Sequence, residues 1–62
     1  MTPHLIPAES VVVGDLMECP SSHVFKPVAV IDKQYGRLWF ILGPERVVSR
    51  SALMGEFLMV GR

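Results

Sequence analysis

Five apolar residues in succession, Leu38, Trp39, Phe40, Ile41 and Leu42, stand between Gly36-Arg37 and Gly43-Pro44. A run this short, bounded by turn residues, reads as a strand. Successive side chains of a strand point to opposite faces, so both faces of this one are apolar. One face belongs to a core, and the other must be covered by something else or remain apolar surface. We place Leu38, Phe40 and Leu42 inward and Trp39 and Ile41 outward. The opposite register, which exchanges the two faces, stays open at this point.

The size of the chain sharpens the question. With 62 residues and 6.9 kDa it is one domain, near the lower end of what folds without disulfides or metals. Surface scaling allows a chain this short to bury roughly 60% of its unfolded area. Half of its residues are nevertheless hydrophobic, and the mean hydropathy is +0.39. So small a core cannot absorb them all, and the excess must lie on the surface, where contiguous apolar area marks a partner site or subunit interface.

Six basic and six acidic side chains cancel, so bulk charge favours neither nucleic acid nor an anionic membrane. Their order is uneven. Glu9, Asp15 and Glu18 precede any basic residue, whereas Lys26, Lys33, Arg37, Arg46 and Arg50 share the middle with Asp32 and Glu45 alone, which leaves room for a local basic face. Cys19 is the single cysteine, so no internal disulfide framework exists and a reducing compartment is expected. No apolar run approaches the ~20 residues of a membrane helix, and no signal-like start is present. The expectation is a soluble, cytoplasmic protein.

Along the chain, Pro3 and Pro7 favour an extended amino-terminal arm over residues 1–9, pinned by Leu5 and Ile6. "VVVGDLMEC" reads as a strand that bends or bulges at Gly14, and "PSSH" as a loop. "VFKPVAVIDK" is the next strand, with Val28 and Val30 on one face and Ala29 and Ile31 on the other. "QYG" connects it to "RLWFIL" as a hairpin. "GPE" turns the chain into a fourth strand, "RVVSR". "SALMGE" suits a single helical turn capped by Ser51, and "FLMVGR" a last short strand.

Five short strands with one helical turn before the last resemble the SH3-like small β-barrel over roughly residues 10 to 61. The resemblance rests on "VVVGDL" at the start and "RVVSRSALMGEFLMV" at the end. It implies an all-β fold, a five-stranded barrel over residues 10–62 following the arm. An OB-like or other five-stranded barrel is the alternative. One enzyme family has this shape, the plasmid-borne type II dihydrofolate reductase. Its pore-lining tetrapeptide is absent here, "RVVS" standing in the comparable place, so the activity is not carried over.

Few residues argue for chemistry. Cys19 and His23 could share a zinc ion with His4 and Glu18, but a small buried thiol followed by a loop histidine is the favoured account of the pair. Cys19 or Ser22 with His23 lacks an orienting carboxylate and oxyanion donors. The expectation is no enzyme, no cofactor and no metal. Arg46 and Arg50, four apart in one strand, would share a face and could grip a carboxylate or phosphate, or pair with Glu45 or Glu56. Met17, Met54 and Met59 could form an adaptable binding surface or fill the core; we place Met59 in the core and Met54 at an interface.

The function expected from these residues is a protein–protein interaction module. It would form homo-oligomers or dock on a host protein through the outward strand face, as a small accessory or inhibitor protein of phage or plasmid type would. Tyr35, Trp39 and Ile41 are the expected anchors, with Arg37, Arg46 and Met54 around them. The alternative is a single-stranded nucleic-acid-binding barrel, in which Tyr35 and Trp39 stack bases while Lys33 and Arg37 follow phosphates.

Overall fold

The computed structural model describes all 62 residues. The chain is all-β: Pro3–Pro7 (β1), Leu16–Glu18 (β2), Phe25–Gln34 (β3), Arg37–Leu42 (β4), Val48–Leu53 (β5) and Phe57–Gly61 (β6), with one 3-10 turn at Ala8–Ser10. The strands form one antiparallel sheet in the order β1-β6-β2-β3-β4-β5. No helix is long and apolar enough to cross a membrane.

Strand β3 organises the sheet. Its first residues, Phe25 to Pro27, pair with β2, and the rest pair with β4. Between the two stretches the register shifts at Val28/Val30, leaving Ala29 as an inserted residue. A bulge bends its strand and increases the local twist. Here it lets one strand serve both halves of the sheet, which fold over a common core of Met17, Val28, Leu38, Phe40, Leu42, Leu58 and Val60, with Ala8, Val11, Cys19 and Ala52 filling in.

Several sequence expectations need correction. The strands number six and the sheet is not closed, since β1 and β5 are its free edges. The arm contains β1, which pairs with β6 from Pro3↔Gly61 to Pro7↔Phe57. Residues 11–15 turn instead of extending, with Gly14 at φ 99, so the following strand keeps only Leu16–Glu18. No helical turn precedes the last strand. Ser51 to Leu53 finish β5, and a tight turn closed by the Glu56 N–H on the Leu53 carbonyl leads into β6. Ser51 therefore caps nothing; its hydroxyl accepts from Arg37 Nη1 at 3.4 Å. The bulge also reassigns faces in β3: Val28 enters the core, Val30 joins Ile41 on the outward face, and Ile31 packs inward beside Phe40.

The prolines of β1 fit because of the pairing register. Thr2 and Arg62 exchange backbone hydrogen bonds and the Ala8 N–H donates to the Glu56 carbonyl, so the even-numbered residues of β1 face β6. Pro3 and Pro7 turn their nitrogens to the open edge, where the ladder needs no donor.

Candidate protein-interaction surface

The hairpin formed by β3 and β4 sets the candidate site. Tyr35 and Gly36 make its two-residue turn with φ 53 and φ 75, the positive values of a type I′ turn. Gln34 pairs with Arg37 and Asp32 with Trp39, so Arg37, Trp39 and Ile41 share one face of β4 while Leu38, Phe40 and Leu42 point into the core. The inward assignment of Leu38, Phe40 and Leu42 thus holds: Phe40 and Leu42 are fully buried.

On the outward face each β4 residue is flanked by two cross-strand neighbours. Trp39 lies between Asp32 and Ser51, Arg37 between Gln34 and Leu53, and Ile41 between Val30 and Ser49. No residue of the chain covers Trp39 completely; it is 38% exposed, and Leu53 beside Arg37 is 52% exposed. Met54 lies in the turn after β5 and is exposed. The Asp32 carboxylate beside the indole is taken up locally, accepting from the Lys33 N–H and from Gln34 Nε2.

The remaining expected contacts lie elsewhere. Arg46 is outside any strand, at φ 57 in the connection before β5 and at the opposite end of β4 from Tyr35. It therefore shares no strand face with Arg50, which stands opposite Phe40 on the inward side and donates from Nη1 to the Glu18 carbonyl at 3.4 Å. Neither arginine forms an ion pair. Glu45 pairs with Lys26, whose ammonium holds that carboxyl below its ordinary value. Lys33 stands opposite Leu38, on the other face of the sheet from Arg37 and Trp39. Tyr35 is fully exposed at the tip.

Met17 is fully buried, whereas Met59, expected in the core, is 47% exposed, which corrects that assignment. It pairs with Leu5, next to Phe57 opposite Pro7, so Leu5, Phe57 and Met59 form a second outward apolar patch on β1 and β6. Alternation in "FLMVG" carries this signal, because burying Leu58 and Val60 forces Phe57 and Met59 outward.

Cys19 is buried, and its neighbour His23 sits at φ 59 in the loop with Nδ1 3.5 Å from Glu18 Oε2. No group of three or more His, Cys, Asp or Glu side chains could hold a metal ion. The arrangement offers surface contact: an indole and aliphatic side chains framed by polar neighbours on a strand paired on both sides. No family model, no curated protein and no solved structure matches the chain.

Proposed function

We propose that this chain is a non-enzymatic protein–protein interaction module of SH3-like barrel type, which assembles with a further protein chain through the outward face of β4. The observation that carries the reading is the position of Trp39, held on a rigid central strand with part of its indole open and in line with Ile41 and Leu53. A buried aromatic anchor with a polar rim is the usual energetic centre of an interface. Asp32, Ser51, Gln34 and Arg37 supply such a rim around Trp39. The barrel reading is supported by the long, bulged β3 shared between both halves of the sheet.

A nucleic-acid platform of Lys33, Tyr35, Arg37 and Trp39 is disfavoured because Lys33 occupies the opposite face from Arg37 and Trp39. Lys33 is therefore separated by the sheet from the other basic side chain of the set, Arg37.

The test is solution mass by light scattering over a concentration series, followed in parallel by tryptophan emission. Trp39 is the sole tryptophan, so the emission reports this face alone. The expected result is a mass above the 6.9 kDa of one chain, with blue-shifted emission that reddens on dilution. A 6.9 kDa species with red-shifted emission at every concentration overturns self-assembly through this face.

A further inference from the structure

The two free edges of the sheet are built differently. On β1 the outward-facing backbone belongs to Pro3, Leu5 and Pro7, and two of these three residues have no N–H to offer. Strand β5 has no proline and no bulge. The Gln34↔Arg37 pair closing the two-residue turn is hydrogen-bonded, so the alternating pattern directs the backbone groups of Leu38, Phe40 and Leu42 to β5. Their partners Ala52, Arg50 and Val48 face β4, and Ser49, Ser51 and Leu53 face away from it. Leu53 is satisfied within the chain, its N–H donating to Glu56 Oε1 and its carbonyl accepting from the Glu56 N–H. Ser49 and Ser51 have no such partner, and β5 lies against no strand but β4.

We infer that the β5 edge is the pairing site for a second copy of this chain, which adds its own β5 antiparallel across a two-fold axis. The inference rests on the reading of the chain as a protein-interaction module and specifies one contact of that module. Unprotected edges are templates for strand addition, and natural sheets block the edges they do not use. Here β1 carries the block and β5 does not.

The second copy is favoured because the edge is self-complementary. With the axis at Arg50, Ser49 faces Ser51 of the second copy and each exchanges its free N–H and C=O. The same register sets Val47 of one copy against Leu53 of the other, two apolar side chains that are 78% and 52% exposed in the single chain. Arg50 would meet its own copy at the axis, a like-charge contact. Its bond to the Glu18 carbonyl, however, draws the guanidinium across the inward face and away from the edge. Because the axis stands across the sheet, the outward faces of the two β4 strands would lie on the same side, and the two Trp39 residues would belong to one continuous surface.

The experiment is amide hydrogen exchange on the full chain, read by NMR at several concentrations, with mass by sedimentation under the same conditions. The expected result is that the Ser49 and Ser51 amides exchange quickly in dilute samples and become protected together as the mass doubles. Ser51→Pro removes an N–H that the chain's own ladder does not use. It should weaken association about tenfold or more, as loss of a paired hydrogen bond implies. Association with Ser49 and Ser51 still unprotected overturns the edge inference while leaving the interaction reading in place. A mass of one chain at all concentrations overturns it as well. Association with both amides protected and Trp39 emission unmoved supports the edge and counts against self-assembly through the β4 face. Because exchange is read on the unmodified chain, the inference stands or falls even if Ser51→Pro does not fold.

Discussion

Arg62 grips the carboxylate of Asp15 with two nitrogens, Nε at 2.9 Å from Oδ1 and Nη2 at 3.2 Å from Oδ2, across 47 residues of sequence. Asp15 is buried, and its Oδ2 also accepts from the Val12 N–H at 3.0 Å. One side chain thus closes the 11–15 turn and ties it to the strand end beyond β6. Removing either partner should cost about 1–3 kcal/mol. Arg62→Ala should cost at least as much as Asp15→Asn, because it leaves a buried carboxylate without its cation. Urea unfolding of both single variants and the double variant tests this: the Arg62→Ala cost should shrink clearly in the Asp15→Asn background.

Acid should destabilise the fold through the same carboxylate. The hydrogen-bonded guanidinium of Arg62, helped by the Val12 N–H, holds Asp15 below its ordinary value of 3.8 against the opposing effect of burial. Glu9, which accepts from the Gly55 N–H, and Glu45, beside Lys26, are lowered from 4.5. A group with a depressed folded pKa contributes stability above its unfolded value and loses it as pH falls through the folded one. Stability should therefore be level above about pH 5 and decline progressively below it. In Asp15→Asn the decline should be shallower; an identical slope would mean that Asp15 is not a main source of the acid sensitivity.

Two neighbouring residues of β4 should respond oppositely to truncation. Phe40 is fully buried in the core, and Phe40→Ala should cost about 3–5 kcal/mol. That is comparable to the whole stability of a chain this short, so loss of near-ultraviolet dichroism at room temperature is expected. Trp39 stands on the outward face and is 38% exposed. Trp39→Ala should leave a cooperative thermal transition and the pairing of β5 edges, but abolish any further assembly through the β4 face, read by sedimentation as loss of species above the edge-paired dimer.

Tyr35 occupies a left-handed position that asparagine adopts more readily, with φ 53 and a fully exposed ring. Tyr35→Asn should raise the melting temperature, with a gain of about 0.5–1 kcal/mol, because Asn-Gly is the preferred pair in a type I′ turn. If Tyr35 is also an interface anchor, the same variant will associate more weakly while melting higher. Measuring both separates its local cost from its role at the surface.

The sequence by itself determined the local grammar of this chain. Apolar, β-branched runs broken by glycine and proline marked most of the strands. "QYG" marked the connection of the β3–β4 hairpin, whose two-residue turn the structure places at Tyr35-Gly36. A period of two separated Trp39 and Ile41 from Leu38, Phe40 and Leu42, but both sets are apolar, so which of them is buried was decided by the packing of the whole sheet.

Only the tertiary structure decided what depends on distant partners. The prolines that suggested an extended arm sit in β1 because β6 offers bonds only to the residues between and around them. One inserted residue at Ala29 exchanged the faces of Val30 and Ile31, and no local composition announces a bulge. "SALMGE" had the look of a helical turn, but Ser51 to Leu53 continue the strand because β4 pairs with them. Asp15 and Arg62 carry no pattern that joins them, and the unblocked β5 edge exists only once the strand order is known. Local preferences amount to tenths of a kcal/mol per residue, whereas burial and ladder bonds with remote strands contribute about 1 kcal/mol or more each. Where the two disagree, the remote contacts prevail.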